Sequence, residues 1–561
     1  MSGRLGPRIM HGESITVNNE VKFYFQPFSE LQYQEDTPIL LLVFENQPDL
    51  ILTNSFPEIE AMRARMDAMR VRRNETVSFF SAAREDKMIP LGMVYIQQPW
   101  RRLRHKATWN IDSLNFYREV WERVFFAVRQ VREMKRTNIV IVLPSQFRPE
   151  NIKNDRRQEN RLEKFVRTVT EAIVYANHTI EEFIKDKAPF IESATLTYFG
   201  EGKREVDNFF QRAIGEGSAL GESTGYVRRL TLLPPNLKYP LEFVRLATGV
   251  APEPEDARSA KWQNLSHHFF SPKVKVSYLY GTKEIEEFGL GLVATVGKGS
   301  AHEPVFLKVH YRPTTNRQKP VRRIVIIGKG VTFDTGGANL KTDGSMERMH
   351  LDMAGGATAL GLVKLAADLN LSVEIIALVP LVENMIGPHG MRPGDIATAF
   401  DGKTVEIIDT DGEGRLILYD AIAYAERHLN ADCTITIATL CDIQDLGPDL
   451  LKVVVGNDKL RGKVLHAEEV SAEKAFLFPR LEHFNEVDNE HIGDITDLLG
   501  EPSGVYYQVS SFVFLSNAFV HEKPEWIFVD ISAVFESDAD NYGCGPGFGL
   551  RFIWNILKQY A

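Results

Sequence analysis

Cysteine is scarce in this chain of 561 residues, which carries only Cys433, Cys441 and Cys544. The count is odd and no two of them have CxxC spacing, so neither a disulfide framework nor a cysteine metal site is indicated. Free, buried thiols of this kind are typical of a reducing compartment. The start of the chain, 1–8, also lacks the apolar segment of a secretory signal. We therefore expect a cytoplasmic protein.

Long apolar runs and an excess of basic residues are missing as well. No stretch of the sequence approaches the ~20 apolar residues that cross a membrane. Lysine and arginine number 65 against 75 aspartates and glutamates, a formal net charge of −10. Because a nucleic-acid contact needs a basic face, we expect neither nucleic acid nor membrane as a partner. The arginine-rich patch at 63–73 is interpreted as a solvated helix face, since acidic residues alternate with its cations.

The chain is too long for one hydrophobic core, so two domains are expected. Apolar runs at 38–44 and 138–143 predict strands, and apolar residues at helical spacing over 165–184 predict an amphipathic helix. These elements predict an N-terminal α/β domain over 1–215. A role in assembly or regulation is our hypothesis for it and does not follow from these patterns. A linker is expected at 216–240, because Gly215–Gly225 has the composition of a hinge.

The second domain, 241–561, alternates strand and helix patterns. Strands are expected at 274–278, 323–327, 373–379, 405–408, 434–438 and 526–531, and helices at 355–368 and 416–428. Such alternation predicts a larger α/β sandwich around a mixed, largely parallel sheet. Active sites of these sheets lie beyond the carboxyl ends of the strands, where two unusual motifs fall.

Each motif packs carboxylates beside glycines and directly follows an apolar, β-branched run. The first, Gly328–Gly337, reads GKGVTFDTGG, and the second, Asp409–Leu416, reads DTDGEGRL. Glycines let oxygens and backbone converge on a hard cation, so a strand that ends in such a turn predicts a cation site. With Asp352 between them, the motifs supply four carboxylates, enough for two divalent ions if some carboxylates bridge.

Two other interpretations of these motifs are weaker. Asp409–Asp420 partly imitates a calcium-binding EF-hand loop, but a strand and not a helix is expected before it. Gly297–Ser300 and Gly328–Gly330 hint at a phosphate loop, yet neither has the GxxxxGK[ST] pattern.

The motifs resemble the signature of the leucyl aminopeptidase family, the M17 cytosolic aminopeptidases, whose pattern is roughly GKGxTFDTGG, then K, DMxGA and NTDAEGRL. The resemblance continues through Val382–Asn384 and Arg392–Asp395 in the family's order and spacing. Gly289–Ser300 is similar to the family's strand before the metal site. The resemblance covers roughly residues 225–561, whereas 1–215 match only in general character.

The resemblance implies a set of protein ligands for each of two divalent metal ions. Lys329, Asp334, Asp352 and Glu413 are expected to hold the tighter ion, and Asp334, Asp411 and Glu413 the more exchangeable one. An ammonium group has no lone pair, so Lys329 could ligate only as a neutral amine, which adjacent dications favour. Zn²⁺ is expected, with Mn²⁺, Co²⁺ or Mg²⁺ as alternatives, because carboxylate-rich sites accept several divalent ions.

The resemblance also implies catalytic and substrate-binding residues. Lys341 is expected to polarise the scissile carbonyl, and Arg415 to hold a bicarbonate ion that acts as general base for the bridging water. The residues expected to bind substrate are Met349, Thr439, Leu440 and Asp442. Asp442 stands where relatives carry glycine, and either it pairs with a basic or polar substrate side chain or it turns away to backbone amides or a lysine.

The function implied is a metal-dependent aminopeptidase that releases N-terminal amino acids from peptides by attack of a water or hydroxide bridging two metals. The alternative is a catalytically weak or inactive relative with a structural or interaction role. Asp409, where relatives commonly carry asparagine, is a further departure from the pattern. By resemblance alone, the chain is expected to form a homo-oligomer, a hexamer, and to act on peptide substrates.

Overall fold

The computed structural model describes residues 21–27, 29, 37–44, 55–56, 77–84, 87–96, 114–144, 156–178, 185–198, 204–250, 261–314, 321–342, 344–441, 450–479, 492–497, 504–521, 524–532 and 547–561. Within these ranges the chain forms two large mixed sheets, one small sheet and the helices that cover them. Among the described helices, none is long and apolar enough to cross a membrane.

The N-terminal half is built on a six-stranded sheet. Its strands are β1 (Lys22–Pro27), β2 (Ile39–Phe44), β3 (Val77–Arg84), β4 (Lys87–Ile96), β5 (Asn138–Val142) and β6 (Ser193–Tyr198), in the order β1-β6-β5-β2-β4-β3. Neighbouring strands are parallel except β3 and β4. The strands predicted at 38–44 and 138–143 are β2 and β5. Buried apolar residues of β2, β5 and β6 pack on the helices α1 (Leu114–Glu133) and α2 (Arg156–Asn177).

Helix α2 corrects the bounds predicted for the amphipathic helix at 165–184. It begins earlier, at Arg156, and ends at Asn177. The Asn177 side chain bonds the backbone of Ile191 in both directions, with its amide donating to Ile191 O at 2.8 Å and its oxygen accepting from Ile191 N at 2.9 Å. The helix therefore ends at a residue whose side chain bonds a segment outside the helix. Apolar spacing alone did not predict this end.

The segment predicted as a linker is largely helical. Helix α3 (Arg204–Leu232) runs through it without a break. Three of its glycines, Gly217, Gly221 and Gly225, are four residues apart and therefore share one face of the helix. A Cβ atom on Gly217 would lie 2.5 Å from Arg167 O of α2. The glycines thus permit close packing of α3 on α2, and the division at 216–240 remains a prediction.

The C-terminal half contains a ten-stranded sheet. Nine strands follow the order β17-β16-β19-β15-β10-β12-β9-β8-β7, and β11 pairs with β12. They are β7 (Gln263–Leu265), β8 (Val274–Tyr280), β9 (Val305–Tyr311), β10 (Arg323–Gly328), β11 (Gly330–Asp334), β12 (Glu374–Asn384), β15 (Cys433–Ala438), β16 (Leu450–Val455), β17 (Lys474–Leu477) and β19 (Trp526–Asp530). Strands β12, β10, β15 and β19 form its parallel centre, and β9 and β16 join it antiparallel.

Helices cover both faces of this sheet, as its apolar strands require. The described helices are α4 (Pro240–Thr248), α5 (Thr282–Glu287), α6 (Gly291–Gly297), α7 (Ala354–Asp368), α8 (Glu413–His428), α9 (Arg461–Ser471), α10 (Gly504–Ser516) and α11 (Leu550–Leu557). Along β10, Ile324 and Ile326 join a core with α7 and α11, whereas Val325 and Ile327 join a core with α6 and α8. The predicted α/β class with a mixed, largely parallel central sheet is confirmed.

One local expectation of the sequence was wrong, and one predicted strand has different bounds. Gly289–Ser300, expected to contain a strand, forms helix α6. The buried carboxylate of Asp420 accepts from Leu292 N at 2.8 Å and Val293 N at 3.1 Å, and so supplies partners to the first amides of that helix. The strand expected at 405–408 is β14 (Thr404–Glu406), which lies in the small sheet with β13 (Ile396–Thr398) and β18 (Ile495–Thr496).

Candidate metal and substrate site

The first motif places Lys329 and Asp334 at the carboxyl end of the central strands. Lys329 joins β10 to β11, and its backbone N–H donates to Ile437 O of β15 at 2.9 Å. Helix α7 begins directly above this point because Gly355 has no side chain: a Cβ atom there would lie 2.3 Å from Ile437 O. This approach brings Asp352, just before α7, next to Lys329.

Lys329 is buried and bridges three elements. Its Nζ lies 2.7 Å from Asp352 Oδ2 and 2.9 Å from Glu413 Oε1, and it donates to Thr439 O at 2.9 Å. Burial alone would lower the pKa of Lys329, but the surrounding carboxylates outweigh it and raise that pKa. Lys329 therefore balances part of the negative charge in this part of the site.

A tight turn after β11 returns the chain toward Asp334. Gly336 has a left-handed φ of +84°, which a residue with a side chain rarely adopts, and its N–H donates to Asp334 Oδ1 at 2.9 Å. The turn brings in Lys341, whose Nζ lies 3.0 Å from Asp334 Oδ2 and 2.6 Å from Asp411 Oδ1. These carboxylates raise the pKa of Lys341 against the lowering effect of its burial.

The second motif reaches the site from the small sheet. Asp409 accepts from Asp411 N at 2.9 Å and so caps a short 3₁₀ helix, Thr410–Gly412. Glu413 then begins α8, and Arg415 follows in its first turn. The carboxylate of Asp409, the residue that departs from the family pattern, thus has a local backbone partner.

Carboxylates converge between the two motifs. Asp334, Asp411 and Glu413 each offer an oxygen, and the three oxygens lie within 4.8 Å of one another. Burial and neighbouring carboxylates raise the pKa of Asp411 to about 7 and also raise the pKa of Glu413. Such mutual repulsion among hard oxygen donors favours divalent cations, so the residues present fit a metal centre.

Asp352 is linked to this triplet by Lys329, which contacts both Asp352 and Glu413. It is buried, and Thr439 Oγ1 donates to its Oδ1 at 2.7 Å. Burial and the nearby Glu413 and Asp334 carboxylates raise its pKa well above the ordinary value, although Lys329 opposes them. A cation near Asp352 would relieve the same repulsion as a cation at the triplet.

The structure describes three of the four residues predicted to bind substrate. Thr439 and Leu440 follow β15 beside Lys329 and Asp352, and Leu440 N donates to Asp530 Oδ1 at 3.4 Å. Met349 is half-buried and begins the short 3₁₀ helix that precedes Asp352. Asp442 lies outside the described residues.

Sequence reasoning did not single out Asn384 as a site residue. Its buried amide nitrogen donates to Asp334 Oδ1 at 2.8 Å and Thr410 O at 2.9 Å, and reaches Glu413 Oε2 at 3.4 Å. Asn384 ends β12 opposite Asp334 in parallel register. The signal that could have found it is its place at the end of the Val382–Asn384 motif.

Asp497 was also missed. Its carboxylate accepts from Ile408 N at 2.7 Å and Asp409 N at 3.3 Å, and its carbonyl accepts from Arg415 Nη1 at 2.9 Å. Asp497 follows β18, which pairs with β14 although the two strands are far apart in sequence. No local sequence pattern therefore predicts that Asp497 belongs to the site. It holds the start of the second motif and Arg415 together.

Fold and site define an α/β protein with a buried, carboxylate-rich centre suited to cations at the carboxyl ends of parallel strands. A sequence model described as the catalytic domain of the cytosol aminopeptidase family matches residues 226–554. The chain belongs to this family, and the predicted M17 resemblance is confirmed.

Individual relatives agree with this assignment. The chain is 31% identical to a "Probable cytosol aminopeptidase" of Cenarchaeum symbiosum, over 77% of this chain and 81% of that protein. It is 34% identical to a protein of the same name in Chlorobium limicola, over 50% of this chain and 56% of that protein. A solved structure titled "Bottromycin maturation enzyme BotP in complex with Mn" shares the fold, with a TM-score of 0.69, 22% identity and coverage of 93% of this chain and 99% of the other.

Proposed function

We propose that this chain is a metal-dependent aminopeptidase that releases N-terminal amino acids from peptides in the cytoplasm. The observation that carries the proposal is the convergence of Asp334, Asp411 and Glu413 within 4.8 Å, flanked by Lys329 and Lys341. Membership of the cytosol aminopeptidase family supports the choice of peptides as substrates.

Two divalent ions would be held by these side chains. Asp334, Asp352, Glu413 and Lys329 are proposed for one, and Asp334, Asp411 and Glu413 for the other. Lys329 could ligate only as a neutral amine, so binding of the ions would have to displace its proton. Such a pair supplies Lewis acidity and makes water a nucleophile at neutral pH. Mn²⁺ is a candidate beside Zn²⁺, Co²⁺ and Mg²⁺, because a structure of the same fold is titled as a complex with Mn.

Lys341 is proposed to act on the scissile carbonyl. Its ammonium is held between Asp334 and Asp411, and its side chain is only 14% exposed. A fixed donor in a site from which water is largely excluded stabilises negative charge that develops on a carbonyl oxygen. The two carboxylates favour the charged form of Lys341, so its ammonium can donate to the carbonyl oxygen.

Arg415 is proposed to hold an anion, bicarbonate, that accepts a proton from the attacking water. Its guanidinium is buried, and one of its nitrogens is fixed by the carbonyl of Asp497. A rigid, always charged fork is suited to a planar, bidentate anion.

Substrate recognition is proposed at the loop after β15 and the turn before Asp352. Thr439, Leu440 and Met349, with Asp442, would line the position of the N-terminal residue. A hexamer with 1–215 in an assembly or regulatory role remains the proposed form of the protein.

A pair of peptides with the same leucine-led sequence, one with a free and one with an acetylated N-terminus, tests the proposal. The chain supplied in turn with Mn²⁺, Zn²⁺, Co²⁺ or Mg²⁺ should remove single residues from the free peptide, and mass spectrometry of the products detects each residue lost. The acetylated peptide should stay intact, because acetylation removes the charge and basicity of the amine. Cleavage of internal bonds, or no cleavage of either peptide with any of the four metals, would contradict the proposal.

A further inference from the structure

Lys238 is a buried lysine that contacts the turn before Asp352 without belonging to either motif. Lys238 is fully buried, between α3 and α4. Its Nζ donates to two backbone carbonyls, Thr231 O and His350 O, the latter at 2.7 Å. In the described part of the chain no carboxylate is within ion-pair distance of this ammonium, and burial lowers the pKa of Lys238.

The first acceptor belongs to the end of a helix that joins the two halves of the chain. Thr231 is the second-last residue of α3, and the last four carbonyls of a helix have no partner within it. The negative end of the helix dipole also favours a cation at this position. Lys238 therefore caps the carboxyl end of α3 by donating to one of its last carbonyls.

The second acceptor belongs to the turn that presents Asp352. His350 is the middle residue of the 3₁₀ helix Met349–Leu351, and Asp352 N donates back to Met349 O at 3.3 Å. The residue before this helix, Arg348, has a left-handed φ of +69°, which is unfavourable for a residue with a side chain. A turn with a strained start needs external contacts to keep one conformation.

We infer that Lys238 is a positioning residue that fixes the Met349–Asp352 turn to the end of α3, and thereby sets the Asp352 carboxylate for its cation. The inference rests on the proposed function, in which Asp352 is a ligand of one metal. Helix α3 is itself anchored: a Cβ atom on Gly361 of α7 would lie 2.4 Å from Val227 Cγ2 of α3. Lys238 thus connects the turn to a rigid neighbour.

The N-terminal half offers a matched control. Arg132 is also a buried side chain that donates to backbone carbonyls: Ala176 O near the end of α2 at 2.6 Å, Pro189 O at 2.9 Å and Ala188 O at 3.2 Å. Arg132→Met and Lys238→Met each remove a buried hydrogen-bond donor from a helix end. Only the second change touches the turn that carries Asp352.

The test is a calorimetric titration of metal-stripped protein with Mn²⁺, with thermal unfolding of each variant recorded in parallel. Lys238→Met should weaken the tighter Mn²⁺ site by at least about 10-fold, the lower end of what loss of an outer contact costs a metal site. Arg132→Met should lower thermal stability but keep the wild-type Mn²⁺ affinity. Equal Mn²⁺ affinities in both variants would overturn the inference.

Two further results separate this inference from the proposed function. Wild-type protein that binds Mn²⁺ and cleaves peptides, with unchanged affinity in Lys238→Met, overturns the role of Lys238 alone. Wild-type protein that binds no Mn²⁺ overturns both. If Lys238→Met does not fold, hydrogen exchange of the wild type decides: Mn²⁺ should slow exchange in 349–352 and in the last turn of α3 together, and slowing in 349–352 alone would overturn the inference.

Discussion

Lys341 differs from the proposed metal ligands in what it contributes. Its ammonium touches Asp334 and Asp411 but offers no lone pair while protonated. Lys341→Ala should therefore lower kcat by roughly 10²–10³, about 3–4 kcal/mol of transition-state stabilisation, with both metals still bound. Metal content by mass spectrometry and steady-state kinetics on one preparation check this.

Two variants serve as controls for Lys341. Asp411→Ala should reduce metal content as well as rate, because it removes a proposed ligand. Lys364→Ala removes a lysine that pairs with Asp368, one turn further along α7, at 2.6 Å, and should leave both unchanged. Loss of metal in Lys341→Ala would assign Lys341 to the ligands and refute its proposed role.

Asn384 gives a second prediction for a single residue. Its amide donates to Asp334, Thr410 and Glu413, so Asn384→Ala removes the group that orients two proposed ligands. Metal affinity should fall by roughly 10–100-fold, as for other outer contacts of metal ligands. Equilibrium dialysis against Mn²⁺ measures the change.

The matched variant is Asn177→Ala, which also removes a buried amide with two backbone partners, both on Ile191. It should cost stability without changing metal affinity. An Asn384→Ala protein with wild-type metal affinity would show that Asn384 serves the fold and not the site.

Glycines of α3 show how an element can contradict its composition. Gly215 and Gly217 lie in the same helix, but a Cβ atom would contact nothing within 4 Å at Gly215 and would lie 2.5 Å from Arg167 O at Gly217. Gly215→Ala should raise the free energy of unfolding by about 0.5–1 kcal/mol, since alanine favours helix. Gly217→Ala should lower it by about 1–3 kcal/mol through overpacking, net of that gain.

Thermal or denaturant unfolding of the two variants measures this difference. Equal effects of both substitutions would mean that helix propensity alone decides, and that α3 does not pack closely on α2. Destabilisation by Gly215→Ala would instead support the hinge that the composition suggested.

Local sequence patterns predicted strands well where a short apolar run had only one interpretation. The runs of β2, β5, β10 and β15 are short, apolar and β-branched, and each is a strand within one or two residues of its predicted bounds. Gly289–Ser300 failed because a short apolar run fits a strand or a buried helix equally, and the partner that decides it, Asp420, is far away in sequence.

The same reason limits prediction of the site. The glycine-rich motifs can be recognised from the sequence alone, and they contain Asp334, Asp352, Asp411 and Glu413. Oxygens of Asp334, Asp411 and Glu413 lie close together in the structure. Asn384, Asp497 and Lys238 make backbone and side-chain contacts that form only when the chain is folded. No spacing in the sequence connects Lys238 with His350 or Asp497 with Arg415.

Ion pairs, as well as helix α3, join the two halves of the molecule. Arg551 of α11 is buried and pairs with Glu171 of α2 and with Glu473, the latter at 3.2 Å. Glu216 of α3 lies 3.1 Å from both Arg167 and Lys558, and these cations lower its pKa to about 2 although burial opposes them. In the described part of the chain, the N-terminal half is therefore attached to the C-terminal half by ion pairs as well as by α3.

The central claim for the whole molecule is that its carboxylate centre carries catalysis through bound metal. The direct measurement removes metal with a chelator, then follows bound metal and hydrolysis of an aminoacyl arylamide in the same samples as Mn²⁺, Zn²⁺ or Co²⁺ is restored. Hydrolysis should vanish with the metal and return with it, up to about two ions per chain. Full hydrolysis by verifiably metal-free protein would contradict the claim.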